Sequence, residues 1–363
     1  MSAAERLQPL DLRTAEGMLS FVDGCEDRET WFITGMALKS EFGDAAFAAW
    51  DSWSQAAGNY SAAACRSSWK GFKNRAGGYT IGTLVKLAKD GGYRFDAQDA
   101  PKVDTAELAR RRTERARRSA AEAAQRQQQT TSACELARQQ WRNSERNGSS
   151  DYATRKGLES PESVRYAFDG SLLVPMIRYD LPPEFALKGL QTIRPDGSKK
   201  FTFGMDKPGC ACRLGAAVVP AGDPVFVAEG YATAMTLRMA MQRRFLVFVA
   251  FDAYNLPVVV ESIFQRYPSN PIVICADDDH ATTIKGLPHN TGRIQAQIAM
   301  DGVMEGKAGA KLVVRTFPIF KKSTTRSAKD TDFNDLARLE GLAEVTSQME
   351  FALETMQTLK SYG

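Results

Sequence analysis

The chain has 363 residues, 43% of them hydrophobic and 25% charged, with a net charge of +4. That length accommodates two or three domains of about 100–200 residues each, and no apolar run approaches the roughly 18 residues that cross a bilayer. The opening MSAAERLQPLDLRTAEG lacks the apolar stretch of a secretory leader, so a cytoplasmic protein with no membrane partner is expected.

Residues 1–100 predict a helical module. Trp31, Met36, Leu38, Phe42, Phe47, Trp50 and Trp53 recur at helical spacings, and glycines divide the run into short helices. These aromatics read as core. Trp69, Phe72 and Lys73 precede a loop over Asn74–Gly78, and 79–88 predicts one more helix. Residues 101–150 form a basic helical linker in which Lys102 and ten arginines stand against six Asp/Glu. Its Ala, Arg, Glu and Gln favour helix, with Glu107–Arg111 and Glu114–Arg118 at i,i+4. This segment is either a solvated connector or a phosphate-binding arm.

Residues 151–222 turn to strand patterning. Residues 171–176 predict a strand, and 190–193 and 199–203 predict a hairpin around Pro195-Asp196-Gly197. Over 223–325 the chain alternates strands (224–228, 245–250, 271–276, 311–316) with helices (231–243, 256–267, 291–304). Continuous apolar strands separated by helices predict a parallel α/β sheet. Residues 326–363 supply a closing motif and one helix over 332–361. Six cysteines include no CxxC pair, and Cys210-Ala211-Cys212 offers only two sulfurs, so no zinc is expected.

Ligands gather at the carboxyl ends of strands in an open parallel sheet. Glu229-Gly230 follows the first strand of 223–325, Asp277-Asp278-Asp279 the third, and Asp332-Phe333-Asn334-Asp335 the fourth. Each is an ordinary surface or turn sequence alone. Together they predict a carboxylate cluster that calls for magnesium or manganese. Alternation directs Asp277 and Asp279 to one side and Asp278 elsewhere. Gly230 permits close backbone approach at a helix start. His280 reads as a loop residue beside the cluster. Asn334 either orients carboxylates or caps the last helix.

The order Glu-Gly, then DxD two strands later, resembles the Toprim domain shared by DnaG-type primases, topoisomerases and some nucleases. VFVAEGYATAMTL, VICADDDH, NTGRIQAQIAM and TDFNDLARLEG resemble segments of primases carried by conjugative plasmids and satellite phages. LLVPMIRYD and GLQTIRPDGSKKFTFG resemble their basic subdomain, and residues 10–95 more weakly resemble the helical PriCT module. The resemblance covers about 155–340. It implies an α/β Toprim domain preceded by a small α+β basic subdomain and an all-α N-terminal domain.

It further implies that Glu229 is a general base or acid and shares a magnesium (or manganese) centre with Asp277 and Asp279, with Asp332 and Asp335 as further ligands. Lys199 and Lys200 are candidates for triphosphate or template contacts, Gly230 for nucleotide approach and Arg293 for phosphate, although hairpin lysines and a helix arginine are also ordinary solvated residues. The activity implied is that of a mobile-element DNA primase, joining NTPs or dNTPs into short primers on single-stranded DNA. A Toprim nuclease, or a non-catalytic nucleic-acid-binding replication or interference protein, would keep the same fold. EGYATA, the basic hairpin and TDFND favour the primase. With no zinc ribbon and no GxxxxGK[ST] loop, template recognition falls to residues 1–150 or to a separate replicative helicase.

Overall fold

Side-chain caps open the first helices. Asp11 accepts from the Thr14 amide at the start of α1 (Leu12–Leu19), and Asp27 from the Thr30 amide at the start of α2 (Arg28–Phe42). The computed structural model describes residues 11–72, 78–94, 105–284, 286–304 and 312–362, with the side chains at 105–109, 111–112, 115 and 359–362 excepted. The expected loop at 74–78 falls largely outside these residues, as do Lys102, the Glu107–Arg111 pair and the start of the 311–316 strand. The chain divides into two compact units, Met1–Ala124 and Gln125–Gly363.

The first unit continues through α3 (Phe47–Ser54), α4 (Ala62–Gly71) and α5 (Ile81–Asp90). Met18, Leu38, Trp50 and Leu84 are fully buried in its core, with Trp69 and Phe72 beside them. Gly35 in α2 is a packing necessity: a Cβ there would meet the Phe72 ring at 2.5 Å and the Trp50 ring at 2.8 Å. Of the aromatics predicted as core, Trp50, Trp69 and Phe72 are buried, and Trp31, Phe42, Phe47 and Trp53 are partly buried and packed against them. The basic stretch forms α6 (Thr105–Asn143), with Glu114 and Arg118 4.0 Å apart.

The second unit opens its ordered elements with α7 (Asp151–Arg155) and an antiparallel sheet. That sheet runs β1 (Arg165–Tyr166), β2 (Leu172–Ile177), β3 (Leu187–Ile193) and β4 (Lys199–Phe201) in spatial order, with the short α8 (Pro183–Ala186) before β3. Gly197, at φ +90°, turns the predicted hairpin. Next come β5 (Cys212–Leu214), β6 (Val225–Ala228), α9 (Tyr231–Ala240), β7 (Leu246–Val249), α10 (Leu256–Arg266) and β8 (Ile272–Cys275). A small hairpin, β9 (Thr283–Ile284) and β10 (Leu287–Pro288), precedes α11 (Thr291–Met304), β11 (Val313–Thr316), α12 (Phe333–Glu340) and α13 (Leu342–Tyr362).

The five-stranded sheet has the order β11-β8-β6-β7-β5. Its first four strands are parallel, as predicted, and β5 adds an antiparallel edge that the sequence did not suggest. Alternate strand residues serve two cores. Phe226, Ala228, Val247, Val249, Val273 and Cys275 share one with α9, α12, α13 and the antiparallel sheet. Val225, Val227, Leu246, Phe248, Ile272 and Ile274 share the other with α10 and α11. Burial on both faces is why these strands read as unbroken apolar runs. The single helix expected over 332–361 is two, divided at Gly341 with φ +92°. Among the described residues, no helix is long and apolar enough to cross a membrane.

Candidate active site

The order in which strands are added reverses at β6. From there the chain crosses through α9 to β7 on one side, then through α10 to β8 on the other. Such a switch point leaves a crevice at the carboxyl ends of the strands. Ala228 is in register with Val249 of β7 and Cys275 of β8. Glu229 therefore leaves β6 level with Ala250 and Ala276, with Asp252 beyond β7 and Asp277 beyond β8 flanking it.

Burial and neighbouring carboxylates act on two of these groups, Glu229 and Asp277. Glu229 is half-buried, and burial together with the charges of Asp279 and Asp252 raises its carboxyl to about 7. Asp277 is pushed well above the usual carboxylate range by burial, then by Glu229, Asp332 and Asp279. Its Oδ1 is buried without a hydrogen-bond partner. The charge of Lys199 favours the ionised form of both Glu229 and Asp277. Lys199 and Lys200, next to it along β4, are both exposed. By the pairing of β4 with β3, Lys199 lies opposite the core residue Ile193, whereas Lys200 lies opposite Thr192 on the other face.

Asp278 has the opposite fate from Asp277. It is 4% exposed, accepts from Arg326 at 2.8 Å and from the Asn290 amide at 2.7 Å, and pairs with Arg293 Nε at 2.7 Å. Burial raises its carboxyl, but those bonds and charges outweigh burial and hold it below the usual range. Arg293, the expected phosphate contact, spends its guanidinium on Asp278 and on the face of Phe317, 3.5 Å away. Asp279 Oδ2 accepts from the Gly292 amide in the first turn of α11. Asn290 Oδ1 accepts from the Asp279 and Arg293 amides. A Cβ on Gly292 would stand 2.3 Å from the Asp277 carbonyl oxygen. The Asn-Thr-Gly start of α11 is thus the clamp that shapes the aspartate loop. His280 is exposed and lies 3.2 Å from the Asp278 carbonyl.

The closing motif works mainly as a helix cap. Asp332 Oδ1 accepts from the Asp335 amide, and the Asp335 carboxylate reaches back to the Asp332 amide, a reciprocal capping box on α12. Asp332 Oδ2 accepts from Thr233 Oγ1 of α9 at 3.1 Å. Asp335 pairs with Lys156 at 3.4 Å and accepts from the Thr331 amide. Asn334 does neither of the things expected of it. Its amide donates to the Lys156 carbonyl and to Thr236 Oγ1, fastening α12 to α7 and α9.

Asp252, Lys207, Lys156 and Arg326 join this neighbourhood without having been singled out in the sequence. Asp252 follows a strand as Glu229 and Asp277 do, which was a usable clue. It starts a 3-10 turn by accepting from the Asn255 amide and forms an ion pair with Lys207. Phe251 before it has φ +74°, a strained conformation for a side-chain-bearing residue, and its amide donates to the Glu229 carbonyl at 2.7 Å. Cys210 and Cys212 are buried thiols, and burial pushes Cys210 up to about 12.

Among the described residues, no three His, Cys, Asp or Glu side chains form a ready-made ion cage. Magnesium does not need one, because it takes one or two carboxylates and completes its shell with water and substrate phosphates. The buried, unpartnered Asp277 Oδ1 beside two further carboxylates fits such an ion.

Comparison with known proteins supports the resemblance read from the motifs. A family model described as Primase C terminal 2 (PriCT-2) matches residues 16–88. The chain is 38% identical over 133 residues to DNA primase TraC of Escherichia coli, and 32% identical over 154 residues to a second protein of that name from the same organism. These stretches cover 36% and 41% of this chain but 11% and 10% of those relatives, so the chain spans a small part of their length. The primase fragment of the bacteriophage T7 primase-helicase protein gives a TM-score of 0.39 at 16% identity, over 56% of this chain and 74% of that one. A DnaG primase catalytic domain bound to ssDNA gives 0.39 at 13% identity, over 62% and 82%. The chain resembles plasmid-type primases and carries a PriCT module at its N-terminal helices.

Proposed function

We propose that residues 125–363 hold a Toprim-type nucleotidyl transfer centre and that the protein is a DNA primase, joining NTPs or dNTPs into short primers on single-stranded DNA. One observation carries the reading: Glu229 and Asp277 flank the switch point of the sheet, and Asp277 keeps a buried oxygen with no partner. Similarity to DNA primase TraC supports it over about a third of the chain.

Asp277, with Asp279 and Glu229, would hold magnesium or manganese. When bound, such an ion supplies positive charge to the phosphoryl oxygens of the reacting nucleotide. Asp332 and Asp335 contribute from further out, through the cap that fixes α12 and through the field Asp332 exerts on Asp277. Glu229, with its carboxyl raised to about 7, is matched to proton exchange near neutrality. It would take the proton from the attacking 3′-hydroxyl as that oxygen bonds to the α-phosphate of the next nucleotide and pyrophosphate leaves. Lys199 would meet the triphosphate or template strand, Lys200 would meet the strand from the opposite sheet face, and Gly230 would let the nucleotide approach the start of α9. Arg293 would act through Asp278 by holding the aspartate loop in shape. A separate replicative helicase remains a proposed partner.

The test is synthesis by the full chain on single-stranded DNA with labelled nucleotides and magnesium or manganese. Short products lost on Glu229→Gln and Asp277→Asn are expected. Shortened template would replace this reading with a nuclease. Strand binding without products, unchanged by either substitution, would remove catalysis from the centre.

A further inference from the structure

The antiparallel sheet ends in an edge strand beside the carboxylates. Two contacts tie β4 and its following turn to that centre: Phe201 meets Phe251 edge-on with ring centroids 6.3 Å apart, and Lys207 pairs with Asp252. Lys207 Nζ also stands 5.4 Å over the Phe201 ring. Immediately beyond β4, in a turn closed by the Met205 amide on the Thr202 carbonyl, Phe203 is 89% exposed. Phe201 is itself 38% exposed, and Tyr254, two residues past Asp252, is exposed as well.

An aromatic ring left in water costs hydrophobic free energy, and an edge strand that displays one invites adventitious pairing. Aromatic rings interleaved with lysines form the combination that holds single-stranded nucleic acid, because cations meet phosphate while rings stack on bases of any identity. We propose that Phe203, with Phe201, is a stacking platform for a nucleobase held beside the carboxylate centre. It rests on the reading of that centre as a site of nucleotidyl chemistry. The base belongs either to the DNA strand or to the nucleotide, and both present the same π face. Lys199 and Lys207 fix the charged end of the ligand toward Glu229, Asp277 and Asp252. The rings then set how far the base lies from the reacting phosphate.

Two binding series with the full chain test this, and neither requires turnover. The first compares a short oligothymidylate with an abasic strand of equal length and charge, read by fluorescence anisotropy. The second compares ATP with inorganic tripolyphosphate, read by calorimetry with magnesium present. Phe203→Ala should weaken oligothymidylate or ATP by about 5- to 100-fold, the worth of one stacked base, and leave the abasic strand and tripolyphosphate unchanged. Phe203→Trp should restore the loss. A loss confined to the strand assigns the base to DNA, and one confined to ATP assigns it to the nucleotide. Phe168, still more exposed but between β1 and β2 at the far edge of the same sheet, is the control, and Phe168→Ala should change nothing. The platform is overturned if Phe203→Ala shifts neither base-bearing ligand, or if it weakens base-free ligands to the same extent. Base-dependent binding through Phe203 in a chain that makes no primers would break the proposed reaction and leave the platform standing.

Discussion

The indoles of the helical unit and the strand-end carboxylates of the α/β unit are buried on different terms. In the helical unit the four indole N–H groups all find an oxygen: Trp31 on Ser54, Trp50 on the Trp31 carbonyl, Trp53 on the Val22 carbonyl and Trp69 on Asp44. This is the ordinary rule for interiors. At the carboxyl end of the parallel sheet, by contrast, carboxylates crowd one another and Asp277 keeps an orphaned oxygen. Single orphaned atoms occur in both units, Thr34 Oγ1 in the helical one among them, so it is the crowding of like charges at the strand ends that sets the sheet apart.

The contrast can be broken at several points. The largest expected effect is on turnover: Asp277→Asn should reduce primer synthesis by about 10²–10⁴-fold while circular dichroism shows an intact fold. Trp50→Ala should cost the helical unit about 3–5 kcal/mol by emptying its most buried ring, read by chemical denaturation. Asp278→Ala should cost about 3 kcal/mol in the α/β unit, because Arg326 and Arg293 lose their shared partner. If neighbouring Asp277→Ala costs as much in the absence of divalent cations, the two aspartates do not differ as described.

A smaller effect carries a sign that only a strained carboxyl can produce. Glu229 holds its proton to about 7 in the folded chain, against 4.5 ordinarily. The folded state therefore binds the extra proton between those values, and stability is lost as pH rises from about 4.5 through about 7. Glu229→Gln should be more stable than the parent at pH 8 by about 1–3 kcal/mol, with the gain fading as pH falls from about 7 and gone below about 4.5. Urea titrations without divalent cation would show it, and a stability gain independent of pH would remove the electrostatic explanation.

Strands with two buried faces were legible because their apolar runs are unbroken, and α11 begins and ends where its sequence places it. Glu229 and Asp277 were visible for the same reason, since each follows an apolar run, whereas Asp252 in the same position after β7 was passed over. What stayed hidden was long-range or double in meaning. Arg326 lies 48 residues from Asp278 and Lys156 lies 179 from Asp335, and nothing local points from one to the other. Asp332-Phe333-Asn334-Asp335 reads both as a ligand motif and as a capping box, and sequence cannot choose between functions that use the same oxygens. β5 is three residues long and begins at Cys212, too short for alternation to register.

The bridge between the two sheets sets a mechanical limit. Ile177 and Ala211 exchange both backbone hydrogen bonds, at 3.0 and 2.9 Å, where the end of β2 meets the approach to β5. Leu172, Val174, Met176 and Ile193 of the antiparallel sheet also share one core with β6, β7 and β8. Hinge motion between the sheets would have to unzip that bridge and open that core together. The spacing between the two sheets is therefore set by backbone and core, like a caliper locked at one setting, and not by the side chains along its jaws.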